Sequence, residues 1–455
     1  MSKLSKALCA AILGVLIIGA GQGPAAAAGA PSQTKAYTTT VNYVAEFYPL
    51  WFTYNQSVNA TINRLVGPAK ISPLYQTVVA INVDTLYAST FLDLSSQPVI
   101  LTLPSTTVTY SILALDPYGN VLTTTNLAAG TPGTYGFTGP NFTGTLPNGV
   151  TQVPMTLEHL ILIFRSDQYT SGGVNESAAS ETFRESIQLQ TLSDWQQDPS
   201  AGQTLILPEL FFATPYKTFA DALIAYDPIT FLKQLQVAVA SPNTPPLTAN
   251  QQSLSDKFNT LFAKGGDQMD FALGAQDAHT LILDDYLGNT DANGWIHFTN
   301  MGEWKPGQNL DRSAITEFIQ YGNNIKAAAY YQTFKDGTGA ALDGTDAQGY
   351  VLNIPADQIP KAKRFWSFTA YTPQSIELIK NKAKVYHVAS YTPHLAYNSD
   401  GSITLYIARE KPHGVPPANW LPVGRGPFNI MLRVYGPEGS VAHDKYTPPA
   451  IEKVE

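Results

Sequence analysis

Short runs of β-branched and aromatic residues follow one another between residues 70 and 167, and turns rich in glycine, proline and asparagine separate them. The runs are 77–81, 85–92, 98–103, 107–115, 134–138 and 157–165. A spacing of about ten residues between strands is typical of β-sandwiches and β-barrels, because each strand crosses its sheet once before a turn reverses the chain. The pattern therefore predicts a β domain in the first part of the chain.

Strands return between residues 340 and 437. Ile403, Leu405 and Ile407 alternate with smaller or more polar side chains, and a longer alternation ends the region. In it, Phe428, Ile430, Leu432 and Val434 alternate with Asn429, Met431, Arg433 and Tyr435. Because successive side chains of a strand point to opposite faces, both segments predict half-buried strands of an antiparallel sheet.

Helical spacing of apolar residues marks the segments outside these β regions. It predicts an amphipathic helix over 41–65, ended by Gly67-Pro68, and a mostly helical stretch over 178–335. The signals in that stretch are a helix start at Asp227-Pro228, a capping pair of Ser253 with Asp256, a stop at Gly265-Gly266 and a further helix over about 312–334.

The fold class predicted from these patterns is mainly β with helical additions, in which two β-sandwich domains are joined by a helical middle. The segments are a signal peptide at 1–30, an N-terminal sandwich with a leading helix at 41–175, a mostly helical connection at 176–335, a C-terminal sandwich at 336–440 and a tail at 441–455.

Residues 1–30 have the layout of a secretory signal peptide. Lys3 and Lys6 precede an apolar stretch at 10–20, which is shorter than the ~20 residues of a membrane span, and a run of alanines follows. Cys9 is the sole cysteine, so cleavage leaves a chain without thiols, and the net charge changes from −8 to −10. We expect a secreted or periplasmic bacterial protein with no membrane association after cleavage.

Composition and motifs exclude several classes of function. An acidic chain with 14% charged residues is poorly suited to a phosphate backbone, so we expect no nucleic-acid partner. No G-x-S-x-G, Walker, G-x-G-x-x-G or H-E-x-x-H motif occurs, and the seven histidines are not paired at metal-ligand spacing. We therefore expect no cofactor and no metal site. Asp336, Asp343 and Asp346 fit Asp-Gly turns better than a calcium loop.

Three stretches together resemble a known family. They are Ile81-Asn-Val-Asp-Thr-Leu-Tyr87 with its continuation to Pro104, the aliphatic run 157–165, and a C-terminal group that contains Arg364-Phe-Trp-Ser-Phe-Thr-Ala-Tyr371, Asn419-Trp-Leu-Pro422 and Leu432-Arg-Val-Tyr435. Over roughly 41–437 the chain resembles bacterial and fungal proteins that pair domain of unknown function 1254 with domain of unknown function 1214. The resemblance implies two jelly-roll-like β-sandwiches with helical additions, and it implies no particular reaction.

The candidate catalytic residues are Asp84, Tyr87 and Arg433. Asp84 at the mouth of a strand could serve as a general base, with Tyr87 as a hydrogen-bond donor, and Arg433 could hold a carboxylate through two parallel bonds. The alternatives are that Asp84 fixes its own loop and that Arg433 forms an internal ion pair. Arg165, which ends an aliphatic run, has the same two alternatives as Arg433.

The candidate ligand-binding residues are Trp366, Tyr371, Trp420 and Tyr435. Tyr435 shares a strand face with Arg433, and aromatic side chains suit an apolar or sugar-like ligand face. The alternative is that these aromatic side chains fill a sandwich core.

Two functions fit these residues. One is a hydrolase- or isomerase-type enzyme that acts on a small organic molecule in a cleft between the domains. The other is a non-catalytic ligand-binding or oligomeric assembly protein built from jelly-roll domains. A small-molecule ligand and a homo-oligomer are the partners that we expect.

Overall fold

The computed structural model describes residues 34–266 and 268–454, and the predicted signal peptide lies outside them. The first sandwich has a five-stranded sheet and a four-stranded sheet. We call the five-stranded sheet inner, because it faces the second sandwich, and the four-stranded sheet outer. The inner order is β4 (Tyr110–Leu115), β7 (His159–Asp167), β2 (Thr85–Asp93), β1 (Val66–Pro68), β9 (Leu205–Leu207); the outer order is β6 (Val150–Pro154), β5 (Gly133–Thr138), β3 (Val99–Leu103), β8 (Gln188–Thr191). Leu101, Phe137 and Leu162 are buried between the two sheets.

The second sandwich is built in the same way. Its inner order is β10 (Trp295–Ile296), β11 (Ala328–Thr333), β17 (Asn429–Pro437), β13 (Ala362–Tyr371), β14 (His387–Ala389); its outer order is β16 (Trp420–Pro422), β15 (Ile403–Ala408), β12 (Tyr350–Ile354), β18 (Glu452–Lys453). Leu352, Leu405 and Leu432 belong to its core. Two sandwiches joined by a helical middle are therefore confirmed, with helix and strand in comparable shares.

The two sandwiches repeat one strand order. In the inner sheets β4-β7-β2 corresponds to β13-β17-β11, and in the outer sheets β6-β5-β3-β8 corresponds to β16-β15-β12-β18. The directions agree as well, because β5 and β6 run parallel in one outer sheet and β15 and β16 do so in the other. The register also repeats at one pair: Tyr87 lies opposite Arg165, and Tyr330 lies opposite Arg433.

Helices cover the faces of the two inner sheets that point away from the sandwich cores. They are α1 (Lys35–Ser57), α4 (Tyr216–Tyr226), α5 (Pro228–Val239), α6 (Ala249–Ala263), α7 (Gln268–Gly288) and α8 (Asn309–Phe318); α2 (Ser177–Ser186), α3 (Leu192–Gln197) and α9 (Gly439–Ala442) lie elsewhere in the chain. Tyr43, Phe231 and Ile282 from helices share a third core with Ile163 and Met431 from the inner sheets. None of the helices in the described ranges is both long and apolar enough to cross a membrane.

Several predicted elements differ from the structure. The first helix ends at Ser57, and residues 77–81 form turns instead of a strand. The predicted helix over 312–334 is wrong, because α8 ends at Phe318 and residues 328–333 form strand β11. Every residue of β11 is buried, so the segment shows no alternation that would have identified it as a strand.

The helix signals in the connecting region had mixed outcomes. The helix start is confirmed, since the Asp227 side chain accepts a hydrogen bond from the Thr230 backbone N–H. The capping pair of Ser253 with Asp256 is wrong, because α6 begins one turn earlier with a capping box formed by Thr248 and Gln251.

Gly67 allows β1 to lie directly against β2. A Cβ atom at this position would stand 2.3 Å from the backbone oxygen of Tyr87, and backbone cannot move aside as a flexible side chain can. We expect Gly67→Ala to lower the free energy of unfolding by about 1–3 kcal/mol through overpacking, measured by urea denaturation. Gly288→Ala is the control, because nothing lies within 4 Å of its added Cβ. Equal effects of the two substitutions would contradict this explanation.

Candidate functional site

A cavity of about 430 Å³ lies between the inner sheets of the two sandwiches. Strands β2 and β7 line it from the first sandwich, and β11 and β17 line it from the second. The end of α1 and the 3₁₀ turn Glu209–Phe212 also contribute to the wall. The volume suits a small organic molecule, since ligand pockets measure roughly 300–1,000 Å³.

Arg165 projects from β7 into this cavity and is 4% exposed. Its Nη2 donates to the backbone oxygen of Tyr321 at 3.0 Å, and its guanidinium carbon lies 5.4 Å from the centre of the Tyr87 ring. Its Nε and Nη1 groups are buried and have no hydrogen-bond partner among the described residues. Burial lowers the pKa of Arg165, but Tyr435 and other nearby tyrosines more than offset this, so the pKa is raised and the group stays charged.

Arg433 occupies the corresponding position on β17 and is 2% exposed. Its Nη2 donates to the backbone oxygen of Ala80, and its guanidinium carbon lies 5.4 Å from the centre of the Tyr371 ring. Its Nη1 is buried without a partner among the described residues. Burial lowers the pKa of Arg433, while Tyr371, Tyr435 and other neighbours raise it by more.

Neither guanidinium forms an ion pair with any residue that the structure describes. The arginine ion pairs within the described ranges join Arg312 to Glu46 and Arg364 to Asp167. The predicted alternative of an internal ion pair therefore does not apply to Arg165 or Arg433. The cavity thus holds two buried cations, and Nε and Nη1 of Arg165 and Nη1 of Arg433 lack an acceptor among the described residues.

Two tyrosine hydroxyls on the wall add further donors. The Asn82 amide donates to the hydroxyl of Tyr435 at 3.0 Å, and the Asn323 amide donates to the hydroxyl of Tyr330 at 2.6 Å. The orientation of Asn82 is fixed, because its carbonyl oxygen accepts from the backbone N–H of Asp84 at 3.0 Å. A hydroxyl that accepts a hydrogen bond can still donate its own proton, so each of the two can act as a donor to a ligand. Burial raises the pKa of Tyr435 and keeps that proton in place.

Asp84 lies behind the wall of the cavity. Its carboxylate accepts from the Tyr391 hydroxyl at 2.6 Å and from the Ser367 hydroxyl at 2.8 Å, and both donors belong to the second sandwich. Both oxygens are therefore engaged, and the carboxylate links the two sandwiches. It is also close enough to Arg433 for its negative charge to favour the charged guanidinium.

A bidentate ion pair joins the sandwiches next to Asp84. The Arg364 Nε from β13 donates to Oδ2 of Asp167 on β7 at 2.9 Å, and Nη2 of the same guanidinium donates to Oδ1. Burial raises the pKa of Asp167, and Arg364 opposes that rise without cancelling it. The Arg364 guanidinium also lies 5.1 Å from the centre of the Tyr435 ring.

The structure brings some of the predicted site residues together and leaves others apart. Tyr87, Arg433 and Tyr435 line the cavity, whereas Asp84 and Tyr371 stand directly behind its wall. Trp366 and Trp420 lie away from the cavity. Trp366 packs against Phe368 in the core of the second sandwich, and Trp420 belongs to its outer sheet and donates to the backbone of Ala408.

Sequence reasoning did not single out Tyr330, although it holds the same register position as Tyr87. The signal that identifies it is the strand pairing of tyrosine with arginine in both halves of the chain. That pairing becomes visible only when the strand orders of the two sandwiches are compared.

A second group of ionisable side chains lies within the helical layer. Ligand atoms of Asp221, His279 and Glu317 lie within 4.8 Å of one another, but the ammonium group of Lys217 contacts both carboxylates and supplies the cation itself. The Tyr48 hydroxyl also donates to Glu317. Burial, with Glu317 nearby, raises the pKa of Asp221 to about 6. We interpret this group as a buried ion-pair network.

One comparison with a solved structure supports the fold. The VPA0106 protein from Vibrio parahaemolyticus aligns with 92% of this chain and 100% of its own, at 19% identity and a TM-score of 0.58. An uncharacterised protein from Burkholderia cenocepacia aligns with 92% of this chain and 94% of its own, at 14% identity and a TM-score of 0.43. No curated protein matches the chain.

Two family models match the chain. The family described as "Protein of unknown function (DUF1254)" matches residues 62–191, and the family described as "Protein of unknown function (DUF1214)" matches residues 327–439. The DUF1254 match contains Tyr87 and Arg165, and the DUF1214 match contains Tyr330 and Arg433. Each family therefore contributes one tyrosine and one arginine to the lining of the cavity. The chain thus belongs to the proteins that pair an N-terminal domain of unknown function 1254 with a C-terminal domain of unknown function 1214.

Proposed function

We propose that the cavity between the two sandwiches binds a small organic anion. The observation that carries the proposal is the presence of two buried guanidiniums, those of Arg165 and Arg433, which have N–H groups without an acceptor and no ion-pair partner within 34–266 and 268–454. An isolated buried charge is costly, and a bound carboxylate or similar anion would remove that cost through charge-assisted hydrogen bonds.

The chemistry of the wall favours binding over turnover. The described lining residues include arginine, tyrosine, asparagine, glutamine, serine and threonine as their polar members, and none is an aspartate, glutamate, histidine, lysine or cysteine. Such a wall donates hydrogen bonds but offers no carboxylate, imidazole or amine base and no thiol nucleophile. Asp84, the predicted base, has both oxygens engaged behind the wall. We therefore assign Asp84 a positioning role beside Arg433 and favour the ligand-binding alternative over a hydrolase or isomerase.

Arg165→Gln and Arg433→Gln test the proposal. We expect each to weaken binding about 10–100-fold, because a hydrogen bond to a charged group contributes about 1.5–3 kcal/mol. Isothermal titration calorimetry with benzoate, methanesulfonate and methylphosphonate, each beside an uncharged analogue, measures the change. Arg425→Gln removes an exposed charge and is the matched control.

The stability of these variants separates a binding role from a structural one. Arg165→Gln removes a buried charge that has no ion-pair partner among the described residues, so it should leave the ligand-free protein as stable as before or more stable. Arg433→Gln also removes the cation beside the buried Asp84, so its stability is the less direct criterion. A protein that binds none of the three anions, or variants that lose stability while retaining affinity, would overturn the proposal.

Three further proposals rest on the sequence. We propose that the chain is exported to the periplasm or the medium, that it assembles into homo-oligomers, and that its sandwiches have jelly-roll-like connectivity. The signal-like pattern of residues 1–30 supports export.

A further inference from the structure

We propose that the ligand of this cavity is an amphipathic monoanion, whose charged head lies at Arg165 and Arg433 and whose apolar tail extends past Phe211 toward the surface. The inference rests on the proposed function and narrows it to one chemical class, such as an unbranched carboxylate of medium chain length. Three features of the cavity support it: the charge of its floor, the chemistry of its mouth, and the burial of its cations.

The charge around the floor fits a single negative charge on the ligand. Arg364 and Asp167 neutralise each other through their bidentate pair. Of the remaining groups, Arg165 and Arg433 are positive, and the buried carboxylate of Asp84 compensates one of them. The net charge left over is one positive charge, located at Arg165, whose neighbours are phenols. A monoanion neutralises it, whereas a dianion would leave an unpaired charge in a buried site.

The carboxylate of Glu176, which lies near Asp167, does not alter this balance. Glu176 is close enough to Asp167 to act on its charge, but it is only partly buried. Water and salt screen an exposed carboxylate far more than a buried one. The buried groups therefore set the charge that a ligand meets on the floor of the cavity.

The mouth of the cavity is open to solvent and carries both apolar and polar side chains, since Asn59 and Thr61 are exposed lining residues as Phe211 is. Phe211 lines the cavity and is 61% exposed, and Leu210 beside it in the same 3₁₀ turn is 69% exposed. Phe91, Ile161 and Ile163 continue an apolar wall inward from the strands of the first sandwich. Exposed large apolar side chains at the rim of a cavity are a mark of ligand-binding sites, because they cost free energy in water that an apolar ligand recovers.

The position of the two arginines sets the direction of the ligand. Both guanidiniums are nearly inaccessible to solvent, while Phe211 at the mouth is largely exposed. The cavity therefore runs from an entrance that Phe211 lines to a cationic floor. A molecule with a charged head and an apolar tail matches this arrangement, because its head can bind the two arginines while its tail contacts the apolar side chains toward Phe211.

A homologous series of carboxylates tests the proposal. Calorimetric titration of the full-length protein with butanoate, hexanoate, octanoate and decanoate should show the dissociation constant falling about fourfold for each added methylene until the cavity is full. That factor corresponds to ~0.8 kcal/mol per buried CH₂ group. Octanol and octanamide, which have the tail without the charge, should bind at least tenfold more weakly than octanoate, as expected from the loss of charge-assisted hydrogen bonds.

Two variants and one further ligand complete the test. Phe211→Ser should reduce the gain in affinity from butanoate to octanoate, while Phe219→Ser, an exposed phenylalanine that does not line the cavity, should leave it unchanged. Octanedioate should bind more weakly than octanoate, because its second carboxylate finds no cation.

The outcomes distinguish this inference from the function that it refines. Binding that depends on Arg165 but not on the chain length of the carboxylate would contradict the proposed apolar tail, while the proposal of anion binding would stand. Tighter binding of octanedioate than of octanoate would contradict the inference that the ligand carries a single negative charge. Failure of every anion, including the short ones, would instead overturn the proposed function itself.

Discussion

Replacing Glu317 by alanine should lower the free energy of unfolding by about 3–5 kcal/mol, because the substitution leaves a buried ammonium group without its closest partner. Glu317 is completely buried, and it accepts hydrogen bonds from Lys217 and from Tyr48. The pKa of Glu317 is lowered, since Lys217 and His279 outweigh the effect of its burial. In the variant, Asp221 is the remaining carboxylate at Lys217. Urea denaturation near neutral pH measures the loss.

Two comparisons check the cause of this destabilisation. Replacing both partners, Lys217→Met with Glu317→Leu, should restore part of the lost stability, because an apolar pair of similar volume avoids the cost of burying these two charges, while Asp221 keeps His279 as a neighbour. Glu303→Ala removes a surface partner of Lys326, a pair whose side chains are 51% and 80% exposed, and it should change stability by less than about 1 kcal/mol. A double variant as unstable as Glu317→Ala would show that the fold requires the charges themselves.

Arg364→Met should be destabilising by a similar amount, and the loss should depend on pH. The substitution leaves Asp167 buried at the contact between the two sandwiches, without the guanidinium that binds both of its oxygens. Removing one partner of a buried pair typically costs about 3–5 kcal/mol. Lys363→Met, which removes an exposed positive charge from the neighbouring position, is the control.

The sign of the pH dependence follows from Asp167. Its pKa is already raised in the folded protein by burial, and loss of Arg364 should raise it further. The folded state then holds a proton more tightly than the unfolded chain, whose aspartate pKa is about 3.9. The destabilisation should therefore be small at about pH 4 and increase as the pH rises toward the folded-state pKa. A loss that is the same at pH 4 and at pH 8 would contradict this account.

The alternation along one strand predicted half of the site. Leu432 and Val434 lie in the core of the second sandwich, as their pattern indicated, and Arg433 and Tyr435 lie on the opposite face of the same strand at the cavity. Trp366 shows the limit of such reasoning. It belongs to β13, the strand beside β17, but its side chain points into the core of the second sandwich. Successive side chains of a strand point to opposite faces, and it is the next residue, Ser367, that reaches Asp84 on the other face.

The other half of the site could not be predicted, because it depends on which sheets face each other. Arg165 and Arg433 are far apart in sequence, and no local pattern shows that β7 and β17 lie on the same cavity. Strand β11, which carries Tyr330, is buried on both faces and therefore lacks the alternation of a half-buried strand. Asp84 was recognised from its position before a strand, but its partners Ser367 and Tyr391 come from the other half of the chain.

The repeated strand order has a consequence for how such a site can diversify. A symmetric dimer of one sandwich would carry identical residues on both sides of the cavity, and every substitution would occur twice. A chain that contains both copies is free of that restriction. The residue two positions after the arginine is Asp167 in one half and Tyr435 in the other; the first forms an ion pair with Arg364, while the second offers a hydroxyl to the cavity. Joining two similar halves in one polypeptide thus permits an asymmetric binding site on a nearly symmetric scaffold.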